Sequence, residues 1–149
     1  MTRKATSEPL LLDVNVLLAL AWPNHQFHRA ARARMARQGR WATCALTQLA
    51  FVRLFMNPEA VGAHKLIEEA LATLASMVQG EGHVYWRELP AIEMAHQQGA
   101  FQRVLGHRQV NDAYLLELAR RHGGRLLTFD SRLAALGAAG AAEVLAPGL

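Results

Sequence analysis

Three aspartates far apart in the chain fall at the end of an apolar run or the start of a helix-like one: Asp13 in LLLDVNVLLAL, Asp112 in QVNDAYLLELARRHGG and Asp130 in RLLTFDSRL. A carboxylate at such a place is costly, because an unpaired buried carboxylate loses its solvation or ceases to be ionised. One shared divalent cation would account for all three. Singly, each Asp is as well explained as a cap or turn former. That explanation weakens for the set, since Asp13 and Asp130 directly follow strongly apolar stretches. With oxygen donors only, and no Cys/His pair at zinc spacing, the expected ion is Mg²⁺ or Mn²⁺. Such a site hydrolyses phosphate esters through a metal-activated water, and by itself it does not specify a polymer.

The elements that must carry these residues can be read from the pattern. Leu10 to Val14 is a short apolar run of the kind buried on both faces of a parallel sheet. A helix to Trp22 follows, and a second runs to Gln38, with Phe27, Ala31 and Met35 on one face and Arg29, Arg32 and Arg37 on the other. That arginine stripe reads either as a solvated surface or as a contact for RNA phosphates or an acidic partner. Trp41 to Ala45 is a second strand, after which Thr47 can cap a helix that ends at Asn57-Pro58. Arg53, among the apolar residues of this helix, is expected to be a paired structural group. Helical period continues from Val61 to Val78, and a strand is expected over His83 to Leu89.

A short helix over Ile92 to Gln98 leads to an irregular stretch with His107 and Arg108, which read either as phosphate contacts or as exposed loop residues without a task. The helix Asp112 to His122 is closed by Gly123-Gly124, and the strand Arg125 to Phe129 runs into Asp130. An Ala/Gly-rich helix and an edge strand at Val144-Leu145 complete the chain. Alternating strands and helices predict an α/β fold with a mostly parallel sheet. Ligands of such sheets bind beyond the carboxyl ends of the strands, where Asp13 and Asp130 fall.

Composition narrows the setting. At 149 residues one domain over 1–149 is expected, with 1–8 as a loose N-terminal extension. The net charge of +4 is uneven: residues 1–60 carry eight Lys/Arg against three acids, and residues 61–149 eight against nine. This suits a polyanionic partner without requiring one. The single cysteine, Cys44, excludes an internal disulfide framework and points to a reducing compartment, so the cytoplasm is expected. Arg3, Lys4 and the apolar stretch from Leu10 imitate a secretory signal, but Asp13 and Asn15 interrupt it, and the run is too short to cross a membrane. His25 and His28 share a helix face without a third ligand, so zinc is not expected there. Neither a P-loop nor a G-x-G-x-x-G fingerprint occurs.

The order of Asp13 and Asn15 after a first strand, TQLAFVRLFMNP, NDAYLLELARRHGG and LLTFD resembles the PIN-domain ribonucleases, and specifically the VapC toxins of bacterial toxin–antitoxin pairs, from about Leu10 to Leu145. The resemblance implies a three-layer α/β/α sandwich and a Mg²⁺-dependent endoribonuclease leaving 5′-phosphate and 3′-hydroxyl ends. It implies Asp13, Asp112 and Asp130 as the acidic, metal-holding cluster, with Asn15 supporting Asp13 by a hydrogen bond. Thr128 and Ser131, flanking Asp130, are candidates for positioning the water or a phosphate, and read equally as strand and turn residues. The family's further acid, early in the third helix, falls on Gln48. A glutamine offers an amide oxygen but no charge, so Gln48→Glu is expected to tighten metal binding. Implied partners are an RNA substrate, a small VapB-like antitoxin and a second copy in a homodimer; the Ile67 to Val78 helix could form the dimer face or simply the core. Two alternatives stay open: a PIN-like module that binds RNA or protein with weak or no cleavage because of Gln48, and a phosphohydrolase for small esters.

Overall fold

The computed structural model describes residues 8–95 and 99–146. Five strands, β1 (Leu10–Leu12), β2 (Trp41–Cys44), β3 (His83–Trp86), β4 (Arg125–Thr128) and β5 (Ala142–Val144), form one sheet in the order β3-β2-β1-β4-β5, every pair parallel. The helices are α1 (Val14–Ala21), α2 (His28–Met35), α3 (Ala45–Phe55), α4 (Pro58–Val61), α5 (Ile67–Val78), α6 (Ile92–Ala95) and α7 (Val110–Arg121).

Successive strand residues point to opposite faces, and the two cores follow that alternation. Leu10, Leu12, Trp41 and Leu127 pack with α1, α2, α3 and α5 on one side. Leu11, Ala42, Cys44 and Leu126 pack with α7 and the 3-10 segments Gly99–Arg103 and Ser131–Ala135 on the other. The result is a three-layer α/β/α sandwich. Its middle strand β1 is wholly buried, which is why its sequence is unbroken leucine. Cys44 is buried in the second core. Among the described residues no helix is long and apolar enough to cross a membrane.

Several expected boundaries shift, each for a local reason. The first strand stops at Leu12 because Asp13 turns out to accept from the Val14 N–H as the cap of α1. Thr47 is not a cap: Cys44 holds that place, and Thr47 Oγ1 accepts the Cys44 N–H at 3.0 Å from inside the first turn. Asn57 caps α4, and Gly62 at φ 73° ends it, so the helix expected from Val61 starts only at Ile67. The third strand ends at Trp86 rather than Leu89. The last long helix begins at Val110, which puts Asp112 inside its first turn. The Ala/Gly-rich tail does not form the expected helix: it has few large side chains to bury, and Gly140 sits at φ 82°. Of the helix expected over Ile92 to Gln98, Ile92–Ala95 is helical and 96–98 lie outside the described residues, as does nearly all of the expected N-terminal extension.

Gly124 is required by close approach. A Cβ there would lie 2.2 Å from the Pro9 carbonyl oxygen, where the chain enters β1.

The arginines of α2 divide by burial. Arg29, Arg32 and Arg37 are exposed, whereas Arg34 is buried and its guanidinium donates to both oxygens of Glu143 on β5. This pair ties α2 to the sheet edge, and Arg125 adds a second contact to Glu143 at 3.3 Å. The Arg34 hydrogen bond, above all, holds the Glu143 carboxyl below its ordinary value of 4.5. A depressed carboxyl contributes stability that is complete above its unfolded value and is lost as pH falls through the folded one. Melting temperature is therefore expected to fall as pH drops below 4.5. Glu143→Gln should flatten that acid limb; an unchanged limb would assign the loss to other carboxylates.

Candidate active site

The sheet order places β1 between β2 and β4, so the chain leaves β1 in one direction and returns on the other side. Such a switch point opens a crevice beyond the carboxyl ends of the two strands. Asp13 follows β1 directly, and Asp130 follows β4 by two residues. The backbone of Asp13 is pinned to its neighbour by a 2.9 Å bond from its N–H to the Leu127 carbonyl.

Asp13 is only 7 % exposed. One carboxylate oxygen accepts the Val14 N–H at 2.8 Å, and the other accepts the Thr128 hydroxyl at 2.7 Å. Thr128 is fully buried, and its Oγ1 also accepts the Asp130 N–H at 3.1 Å. This one hydroxyl therefore links two of the three aspartates. It is committed to Asp13 rather than turned to solvent. The support expected from Asn15 is supplied by Thr128. Asn15 is exposed and lies in a neighbouring cleft with Val14, Ala50 and Arg53.

Asp112 joins two depressions. One, of about 280 Å³, holds Asp13, Thr47, Ala50, Arg53, Asn111 and Asp112. The other, of about 130 Å³, holds Arg108, Asp112, Asp130 and Arg132. Burial raises the Asp112 carboxyl to about 6, and the charges of Asp13 and Asp130 add to the rise. Burial also raises Asp13, against the two hydrogen bonds it accepts, and Asp130 raises it further. Asp130 differs: its hydrogen bond from Arg132 holds its carboxyl below the ordinary value. The three acids thus share one electrostatic neighbourhood. Among the described residues, however, no three His, Cys, Asp or Glu side chains close on a common point, and Asp130 gives both oxygens to Arg132.

The donor set nevertheless suits a hard divalent cation. The ligands on offer are carboxylate oxygens, two of them on groups whose burial and mutual repulsion disfavour the charged form. A cation among them relieves that repulsion. Each oxygen of Asp13 accepts a single hydrogen bond and keeps a lone pair free.

Gln48 is not brought to this crevice. Its amide Nε2 donates to Thr43 Oγ1 at 3.0 Å, and that oxygen also lies 2.8 Å from His83 Nε2 at the β2–β3 side of the sheet. The α3 positions that border the acids are Leu46, Thr47, Leu49, Ala50 and Arg53, none of them acidic. Gln48→Glu is therefore expected to leave Mn²⁺ affinity unchanged by isothermal titration, and clear tightening would return residue 48 to the site. Arg53, expected to be paired, is instead exposed at the crevice rim, where it makes no ion pair among the described residues. The periodicity of α3 carried that signal, since positions 46, 50 and 53 share a face.

Of the other candidates, Arg108 stands with Asp112 and Asp130, while Ser131 is exposed beside them. His107 is exposed on the turn before α7. His28 Nδ1 donates to the Ala19 carbonyl, and His25 Nδ1 accepts the Phe27 N–H, so both rings have local tasks.

Comparison with known proteins agrees with this architecture. The model of the PIN domain matches residues 10–139. Ribonuclease VapC39 of Mycobacterium tuberculosis is 42 % identical over 139 residues, covering 91 % of this chain and 98 % of that protein. Ribonuclease VapC29 of the same organism is 40 % identical over 129 residues, covering 85 % and 90 %. Ribonuclease VapC38 is 38 % identical over 123 residues, covering 81 % and 84 %.

Proposed function

Because the chain belongs to the PIN-domain family, we propose that it is a metal-dependent endoribonuclease acting as the VapC-type toxin of a toxin–antitoxin pair. The observation that carries this reading is Asp112 in the first turn of α7, which lines one cleft with Asp13 and a second with Asp130 beyond the carboxyl ends of β1 and β4. Asp13, Asp112 and Asp130 would hold Mg²⁺ or Mn²⁺, Asp130 by exchanging its Arg132 contact for the ion. When bound, such an ion supplies activation of a water and neutralisation of charge on a phosphodiester.

The chain's own residues set the rest. Thr128 and the Val14 N–H fix the orientation of Asp13 by donating to one oxygen each, and each oxygen keeps a lone pair for a cation. Arg53 and Arg108, on the two flanks of Asp112, meet the phosphates on either side of the cleaved bond. A single-stranded polyanion spans both flanks, whereas a small phosphate ester fills only one. A small VapB-like antitoxin restrains the enzyme, the protein acts in the cytoplasm, and it pairs as a homodimer.

The absence of an acid on the crevice face of α3, together with the Arg132 contact on Asp130, favours a second reading: an RNA- or protein-binding module that does not cleave. Purified, antitoxin-free protein incubated with total RNA separates the two. Cleavage with Mg²⁺ or Mn²⁺ that stops on chelation is the expected result. Binding without cleavage under every ion tried would select the second reading.

A further inference from the structure

Among the described residues, the Asp130 carboxylate takes all three of its hydrogen bonds from a single neighbour. Arg132 Nε donates to Oδ1 at 3.0 Å, Arg132 Nη2 donates to Oδ2 at 2.9 Å, and the Arg132 backbone N–H adds a third bond to Oδ1 at 3.0 Å. The fork spans both oxygens of the carboxylate, the pair that a cation bound to Asp130 would compete for. The Asp130 side chain is 26 % exposed, whereas the Arg132 side chain is 84 % exposed. Arg132 is thus a long arm anchored to Asp130 at its tip and packed against little else. An exposed ion pair of this kind contributes little net free energy, so a divalent cation can displace it. A guanidinium and a metal ion cannot share one carboxylate edge without repulsion.

The freed arm has a second use in the same place. Arg132 lies with Arg108 in the small cleft that contains Asp112 and Asp130. Its planar donors match two oxygens of a phosphate as well as they match a carboxylate. We propose that Arg132 is a displaceable counter-ion: it neutralises Asp130 until a divalent cation takes that carboxylate, and it then turns to an RNA phosphate beside Arg108. Cation loading and RNA grip are thereby coupled through one positioning residue. The inference rests on the ribonuclease reading above and names how the site changes state.

Two binding measurements on wild type, Arg132→Gln and Arg132→Lys test it without reference to turnover. Mn²⁺ affinity in the absence of RNA is expected to rise roughly two- to fivefold in Arg132→Gln, the range over which an exposed ion pair shifts an equilibrium. Arg132→Lys should rise less, because an ammonium keeps the charge but lacks the fork. Affinity for a fluorescent single-stranded RNA in Ca²⁺ should fall in Arg132→Gln, and the slope of log affinity against log salt should shrink by about 0.7. In EDTA, where Arg132 remains on Asp130 in wild type, Arg132→Gln should lose less RNA affinity than in Ca²⁺, only that owed to the unpaired Asp130 carboxylate; Arg132→Lys should recover part of the Ca²⁺-dependent affinity. Unchanged or weaker Mn²⁺ binding in Arg132→Gln, or an RNA affinity lost equally in EDTA and Ca²⁺, overturns the proposal while leaving the ribonuclease reading intact. A wild-type protein that takes up no Mn²⁺, or an Asp13→Asn protein that takes it up as wild type does, overturns both.

Discussion

Asp13→Asn is expected to yield a folded protein whose RNA cleavage is slower by at least about 10²-fold, because removing a group that holds the ion should cost more than the roughly 10–100-fold typical of residues behind it. The fold should survive for two reasons. Asn caps a helix as well as Asp does, so the bond from the Val14 N–H persists. At the other position the new amide Nδ2 can donate to Thr128 Oγ1, whose second lone pair is free beside the bond it accepts from the Asp130 N–H. Burial already disfavours the charged form of Asp13, so the neutral amide should melt, in EDTA, at or above the wild-type temperature. Added Mn²⁺ should raise the melting temperature of wild type, since a ligand that binds only the folded state stabilises it, and should raise that of Asp13→Asn less. Full activity in Asp13→Asn would refute the assignment. Activity lost together with the fold would show instead that residue 13 is chiefly structural.

Phe51→Ala carries the largest expected loss of stability, about 3–5 kcal/mol. Phe51 is fully buried on the sheet side of α3, 5.6 Å from the Phe55 ring, in the core that includes Leu10, Leu12 and Leu127. Truncation removes the transfer free energy of the ring and leaves a cavity that a parallel sheet and four packed helices cannot close. Against a total of about 5–15 kcal/mol this is a large fraction, and urea unfolding should show it as a lower midpoint. Phe51→Leu, which retains most of the volume, should cost far less. A loss in Phe51→Ala under about 1 kcal/mol would mean that α3 relaxes inward and fills the space. Because the crevice residues Ala50 and Arg53 ride on the same helix, such relaxation would also alter cation binding.

The layers of this molecule were legible because they depend on local pattern. Leu10–Leu12 is apolar throughout because a strand in the middle of a parallel sheet meets helices on both faces, and Gly123-Gly124 ends a helix where one residue needs φ 68° and the next needs room beside Pro9. Asp13 and Asp130 could be placed at strand ends because the apolar runs stop there. The departures came where a side chain's partner is distant in sequence or where helical phase decides direction. Gln48 falls where the family's acid is expected, yet one step along a helix turns a side chain by about 100°, and its amide meets Thr43 instead of the crevice. Asn15 follows Asp13 closely in sequence, yet the hydroxyl that holds Asp13 comes from Thr128, 115 residues away.

Taken alone, the sequence determined the alternation of strands and helices, the parallel sheet, and three carboxylates at element ends, because hydrophobic period and capping chemistry act over a few residues. Which strands lie side by side, that Thr128 joins Asp13 to Asp130, that Arg34 is buried on Glu143 while its neighbouring arginines face water, and that Arg132 closes on Asp130 were decided only by the tertiary structure. The physical reason is range: propensity and periodicity are properties of neighbours along the chain, whereas desolvation, charge pairing and hydrogen-bond reach depend on distances that exist only after the sheet has formed.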